Sequence, residues 1–168
     1  MAGGRGRRFG GDKALAPYHG RPLIEHAIAA LAAHCASVVV CGRDYPPYTS
    51  LPDLPLPDLG PLGGLNAALH HASQHGFAGV LTTGCDMPIF PAELVERLVG
   101  DGPAIVEGQH MMGYWPAALA PRLDQHLREQ EHRSIRSWFT MLQPRVVFAP
   151  PLPNINRPED LRQLEEEG

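Results

Sequence analysis

The run Gly79-Val80-Leu81-Thr82-Thr83-Gly84-Cys85-Asp86-Met87-Pro88 begins as a strand and ends as a turn that carries a carboxylate. Val80 to Thr83 are β-branched or aliphatic, and Gly84 and Pro88 stop the run. A carboxylate just past the C-terminal end of a buried strand sits where open α/β sheets bind their ligands. Mg²⁺ takes one or two carboxylates together with phosphate oxygens and water, so Asp86 is a candidate Mg²⁺ ligand. The alternative is an Asp that only caps the turn.

Working outward, the chain alternates strand and helix. Residues 21–34 carry Leu23, Ile24, Ala27, Ile28 and Leu31 on one helical face, with Pro22 in the first turn. Residues 37–41 (Ser-Val-Val-Val-Cys) form a short buried strand closed by Gly42. Residues 45–61 hold six prolines and read as a loop. A helix is expected over 63–75, a strand over 79–83 and a helix over 91–99. Short strands follow at 104–107 and 111–115, then helices at 119–129 and 134–142. A strand at 145–149, a turn at 154–156 and a closing helix at 158–166 complete the chain. The pattern predicts a single α/β domain spanning 1–168, three-layered, with a mostly parallel Rossmann-like sheet.

Composition narrows the function classes. A 168-residue chain that is 43% hydrophobic can bury a core. A formal charge of −4 argues against a general nucleic-acid binder. No apolar run approaches the ~18 residues that span a bilayer, and no membrane association is expected. Cys35, Cys41 and Cys85 are odd in number and far apart, which fits a reducing cytoplasm rather than a disulfide framework. Most of the nine histidines read as surface or helix-face residues rather than ligands. Of fourteen Lys and Arg residues only Lys13 is a lysine, and it closes the glycine-rich stretch Ala2-Gly3-Gly4-Arg5-Gly6-Arg7-Arg8-Phe9-Gly10-Gly11-Asp12-Lys13. A compact ammonium suits a phosphate where a planar guanidinium fits poorly.

That stretch can turn backbone amides toward a triphosphate, with Arg5, Arg7, Arg8 and Lys13 adding charge. It is neither a Walker A loop nor GxGxxG, and read alone it could be a basic tail. Gly60-Pro61-Leu62-Gly63-Gly64-Leu65 could press amides against a base or ribose, or simply start a helix. In Asn154-Ile155-Asn156-Arg157-Pro158-Glu159-Asp160-Leu161 the two amides share a side if the backbone is extended. A helix N-terminal turn explains the Pro and acidic residues there, but not the amide pair. A phosphate loop in an α/β fold follows a buried strand, so about five hydrophobic residues are expected ahead of Met1. Their absence implies a start codon placed too far downstream or a shortened chain. Without that strand Lys13 would be poorly anchored.

Taken in order, these motifs resemble the molybdenum cofactor guanylyltransferases, a branch of the nucleotidyltransferases. That family carries LAGGxSxRMGxDKAL, matched by residues 1–15. It also has GxPLxxH, matched by 20–26, and GPLAGL, matched by 60–65. CDMPxxP is matched by 85–91 and NxNTPEDL by 154–161. The departures include Met1 for Leu, Phe9 for Met, Gly63 for Ala, Arg157 for Thr, and Cys41 where some members carry a nucleotide-contacting Asn.

The resemblance implies GMP transfer from GTP to the terminal phosphate of molybdopterin or its molybdenum form, with pyrophosphate released and Mg²⁺ as cofactor. It implies catalytic roles for Lys13 and Asp86, with Mg²⁺ on Asp86. Nucleotide and substrate contacts would come from Met1, Ala2, Gly3, Gly4, Arg8, Lys13, Gly60, Pro61, Leu62, Gly64, Asp86, Asn154 and Asn156. Asp53, or its rival Asp58, would serve as the nucleotide-side carboxylate. Arg133, Ser134 and Arg136 would form a basic stretch facing the pterin phosphate. A cytoplasmic monomer is implied, with molybdoenzyme-maturation proteins as candidate partners. The alternatives are a relative using CTP on molybdopterin or an NTP on a sugar phosphate, and a non-catalytic nucleotide- or cofactor-binding protein.

Overall fold

The computed structural model describes Met1 and residues 11–129, 134–157 and 159–161. A single 3₁₀ turn, Lys13–Leu15, leads into a hairpin of β1 (Pro17–Tyr18) and β2 (Arg21–Pro22). His19 and Gly20 both take positive φ, 44° and 75°, which is the twist a two-residue hairpin turn needs. The hairpin feeds α1 (Leu23–Ala32), whose buried face is Leu23, Ile24, Ala27 and Ile28. Then come β3 (Val39–Cys41), β4 (Thr49–Leu51), α2 (Pro61–Gln74), β5 (Gly79–Thr82) and α3 (Ala92–Leu98). The chain continues through β6 (Ala104–Val106), β7 (Gln109–Pro116), α4 (Ala120–Glu129), α5 (Ile135–Leu142) and β8 (Arg145–Val147). No described helix is long and apolar enough to cross a membrane.

Most elements fall where hydrophobic periodicity puts them, most of them shorter at their ends, whereas α2 and β7 begin two residues earlier than expected; the closing helix read at 158–166 lies mostly outside the described residues. β4 is one exception, a strand inside the stretch read as a loop, and the β1–β2 hairpin is another, with Arg21 and Pro22 in a strand where a helix over 21–34 was expected. β4 pairs in parallel with β3, from Val39 opposite Thr49 to Cys41 opposite Leu51. Three residues flanked by Pro47 and Pro52 leave no period-2 pattern to read, and prolines are tolerated beside an edge strand.

The larger sheet has the order β5-β7-β6-β8. The expectation of a mostly parallel sheet holds for three of its strands, and β7 alone runs against its neighbours. Only Glu107 and Gly108 separate β6 from β7, and Gly108 takes φ 70°. A two-residue link makes a hairpin, because a parallel crossover needs a dozen or more residues. From β7 to β8 the chain travels through α4 and α5, which leaves room for β8 to lie parallel to β6.

Helices cover both faces of this sheet. On one side α2, α4 and α5 enclose Leu65, Leu69, Ile105, Trp115, Leu123 and Trp138. On the other, α3 and the turn after β5 pack Met87, Phe90, Leu94 and Leu98 against Val106, Met112 and Val147. Leu69, Leu98, Met112, Leu123 and Trp138 are fully buried, and fully burying each such side chain contributes roughly 1.5–3 kcal/mol. The α2–α4 seam carries a polar bracket. Asn66 Nδ2 donates to Asp124 Oδ1 at 2.6 Å, and His70 Nε2 lies 3.0 Å from Asp124 Oδ2. His70 thus serves helix packing, in line with its sequence reading.

Candidate active site at the carboxyl end of the fifth strand

β5 stops at Thr82, and the chain turns through Gly84, with the Met87 amide donating to the Gly84 carbonyl at 3.2 Å. Met87 and Phe90 are buried, so the turn is pinned on its far side and Asp86 is left facing outward. Gly84 leaves room for the carboxylate. A Cβ at that position would run into Asp86 Oδ1, so any other residue would push the carboxylate aside.

Lys13 meets that carboxylate across 73 residues of sequence. Its Nζ lies 3.1 Å from Asp86 Oδ2 and 3.1 Å from Asn156 Oδ1. Contrary to the expected weak anchoring, Lys13 is well held. Asp12 caps the 3₁₀ turn by accepting from the Ala14 amide at 3.2 Å, and Arg43 Nη2 donates to Asp12 Oδ2 at 2.7 Å. Ala14, next in the chain, is 2% exposed and packs with Ile24, Ile28 and Val40. Among the described residues the anchor is α1 and β3.

The amide pair is set by the residue between. Ile155 is fully buried against Ala16, Leu23 and Leu161, and its amide donates to the Asp86 carbonyl at 3.0 Å. Asn154 and Asn156 therefore share the opposite side. Asn156 Nδ2 donates to Asn154 Oδ1 at 3.0 Å, and Asn154 Nδ2 donates to Gln109 Oε1 at 3.2 Å. Asp160 Oδ2 accepts from the amides of Asn156 and Arg157 at 2.7 and 2.8 Å, which holds its carboxyl below the usual carboxylate range. Sequence reading missed Gln109, Asp160 and Arg43 as supports. Asp160 had a signal, an acidic side chain just after a turn, but Gln109 and Arg43 had none.

The start of α2 reaches this cluster through Met1. The Met1 carbonyl accepts from the Cys85 amide at 3.3 Å, next to Asp86. A Cβ on Gly64 would stand 2.7 Å from Met1 Cε and 2.9 Å from Cys41 Cβ. Gly60, at φ 64°, and Pro61 are exposed at the helix start, whereas Leu62 is 1% exposed and directed into the core. A ligand would thus meet Leu62 only through its backbone.

Asp53 is the carboxylate set against this turn. A Cβ on Gly63 would lie 2.8 Å from Asp53 Cβ, and the amides of Leu59 and Gly60 donate to Asp53. Burial nonetheless pushes its carboxyl up, with Asp58 adding to the rise. Asp58 itself is exposed. Ala2, Gly3, Gly4, Arg8 and Arg133 lie outside the described residues. Ser134 caps α5 by accepting from the Ser137 amide at 3.1 Å, and Arg136 is exposed.

The arrangement selects its chemistry. Burial and Asp86 push the Cys85 thiol up, so it stays protonated at neutral pH and is a poor covalent nucleophile. One carboxylate, one ammonium and two carboxamides converge at a strand's carboxyl end. Among the described residues no cluster of three His, Cys, Asp or Glu side chains could hold a metal alone. Such a donor set suits a cation that shares its coordination with phosphate oxygens. Fold and site together define an α/β nucleotidyltransferase. Residues 1–145 match the MobA-like NTP transferase domain, and the chain belongs to that family.

Named relatives agree with this assignment. The chain is 34% identical to a molybdenum cofactor guanylyltransferase of Rhodobacter capsulatus, over 99% of this chain and 93% of the relative. It is 32% identical to one from Sinorhizobium fredii, over 99% and 88%. Among solved structures it is similar to molybdopterin-guanine dinucleotide biosynthesis protein A of Archaeoglobus fulgidus. That match has a TM-score of 0.72 and 25% identity, over 99% of this chain and 95% of the other.

Proposed function

We propose that this protein transfers GMP from GTP to the terminal phosphate of molybdopterin or its molybdenum form, releasing pyrophosphate and using Mg²⁺. The observation that carries the reading is the position of Lys13 Nζ, shared between Asp86 and Asn156. In this reading Asp86 stands at the metal side and Asn154 and Asn156 at the pterin side. Met1, Ala2, Gly3, Gly4, Arg8 and the Gly60-Pro61-Leu62-Gly64 turn contact the nucleotide, with Asp53 rather than Asp58 as its carboxylate. The single domain spans 1–168 and works in the cytoplasm, where Cys35, Cys41 and Cys85 remain free thiols.

Mg²⁺ fits this donor set. The Asp86 side chain is 29% exposed, and the cation needs only one protein carboxylate when a triphosphate supplies further oxygens. When bound, it would neutralise phosphate charge at the reacting centre. The protein's own residues do the rest. The attacking phosphate monoester is already ionised, so no strong general base is required. Lys13 exchanges Asp86 for a phosphate oxygen and balances charge on the departing pyrophosphate. The Asn154–Asn156 pair holds the acceptor in line, which supplies orientation.

The test is pyrophosphate release by purified protein given molybdopterin, Mg²⁺ and each of GTP, CTP, ATP and UTP in turn. Release with GTP at least tenfold faster than with the others supports the proposal. Preference for CTP, acceptance of a sugar phosphate in place of molybdopterin, or GTP binding without pyrophosphate release overturns it.

A further inference from the structure

A series of three aromatic rings starts at the end of β5. Trp115 on β7 is 1% exposed, and its indole Nε1 donates to Thr82 Oγ1 at 2.9 Å. Thr82 is the last residue of β5, so this ring is fastened to the strand whose turn carries Asp86. Phe139 of α5 stacks on Trp115 with ring centroids 5.9 Å apart and planes at 22°. His110 meets Phe139 at 5.6 Å and 38°. Both spacings lie in the range of attractive aromatic pairs. Exposure rises along the series: Trp115 is buried, Phe139 half-buried and His110 exposed. The last ring is therefore open to a ligand.

His110 reaches that position through an irregularity in β7. Gly113 lies opposite Ile105 and Gln109 opposite Val106, so His110, Met111 and Met112 have no register partner on β6. Met112 and Tyr114 belong to the core on the α3 side, and Trp115 to the core on the α5 side. Unbroken alternation would send His110 to the side of Met112 and Tyr114. It meets Phe139 of α5 instead. Bulges beside active sites re-aim a side chain in this way. Gln109, the preceding residue, accepts from Asn154 Nδ2 at 3.2 Å. Asn154 in turn accepts from Asn156, and Asn156 from Lys13. The start of β7 thus joins the amide line that ends at Lys13 to the aromatic series.

We propose that His110 binds the flat heteroaromatic ring of the acceptor, which stacks on the exposed imidazole while the acceptor's phosphate lies toward Lys13 and Asp86. The assignment of the ring to an acceptor rests on the guanylyl transfer proposed for this site. A platform whose base is held by a hydrogen bond loses little side-chain freedom when a ring settles on it. Position favours the acceptor ring over guanine. Gln109 braces Asn154 on the acceptor side, whereas Met1, the Gly60 turn and Asp53 form the nucleotide side.

Steady-state pyrophosphate release by His110→Ala and His110→Phe, with molybdopterin and GTP varied in turn, tests the proposal. The expected result for His110→Ala is a KM for molybdopterin about tenfold higher, the scale lost when an aromatic platform beneath a base is cut to alanine. Its KM for GTP and its kcat should stay within about twofold, as for a contact made equally in ground and transition states. His110→Phe keeps a ring and should stay within about threefold of the parent in every constant. An unchanged acceptor KM in His110→Ala, an equal rise in the KM for GTP, or a failure of His110→Phe to restore binding overturns it. A second arm needs no turnover: retention of molybdopterin on ultrafiltration without GTP. The parent should hold it about tenfold more tightly than His110→Ala, with a fluorescent GTP analogue bound equally by both. Equal retention of molybdopterin overturns the proposal. Retention that depends on His110 in a protein that releases no pyrophosphate supports the platform and sinks only the reaction. Pyrophosphate release with a parental acceptor KM in His110→Ala does the reverse.

Discussion

Lys13 Nζ and Asp86 Oδ2 stand 3.1 Å apart, the ammonium on a 3₁₀ turn after the glycine-rich stretch and the carboxylate on the turn after β5. Their side chains are 16% and 29% exposed, so the pair is reachable by ligand and is a weak contributor to stability. Its worth lies in what it exchanges for.

Lys13→Ala and Asp86→Ala are each expected to lower turnover at least ~100-fold, the scale of losing one preorganised electrostatic contact. Tm should move by no more than about 3 °C. Lys13→Arg should not restore activity, because a guanidinium cannot replace a point charge between Asp86 and Asn156. Steady-state pyrophosphate release checks all three, and near parental turnover in both alanine variants would remove Lys13 and Asp86 from the mechanism.

Gly84→Ala probes position rather than charge. The added methyl meets Asp86 Oδ1, so the carboxylate must move while remaining present. A displacement near 1 Å can cost about 100-fold in rate. The expected outcome is a fall in kcat of that order with an unchanged circular dichroism spectrum.

Asp160 gives a pH signature. Hydrogen bonds from the Asn156 and Arg157 amides depress its folded pKa. Its contribution is therefore complete above the ordinary carboxylate range near pH 4 and is lost as pH falls through the lower folded value. Asp160→Ala should lower Tm at pH 7 and have a smaller effect at pH 2.5. Thermal melts of both proteins across that range decide the matter, and a gap that widens in acid would contradict it.

Asp124→Ala removes the partner of Asn66 and His70 on the α2–α4 seam. Leaving a buried donor unsatisfied costs roughly 1–3 kcal/mol. Urea denaturation should show that loss in the midpoint, with turnover of the folded enzyme within twofold of the parent.

The sequence by itself determined the alternation of strand and helix, the carboxylate past the end of β5, and the lone lysine. It also determined the Asn-Ile-Asn alternation. These are local properties: period, turn chemistry and side-chain charge act within a few residues. It missed β4, because three residues between prolines carry no period. It named Asp53 with Asp58 as a rival, and it could not show that Asp53 packs against Gly63 and accepts from the Leu59 and Gly60 amides. It made Lys13 depend on the preceding strand, whereas Ala14 secures it against α1 and β3. The tertiary structure alone decided that Lys13, Asp86 and Asn156 share one point. Contacts spanning 73 and 143 residues are fixed by how the buried faces around Ala14, Met87 and Ile155 come together. No local pattern encodes that convergence, because burial rewards the assembled core and not any one segment of it.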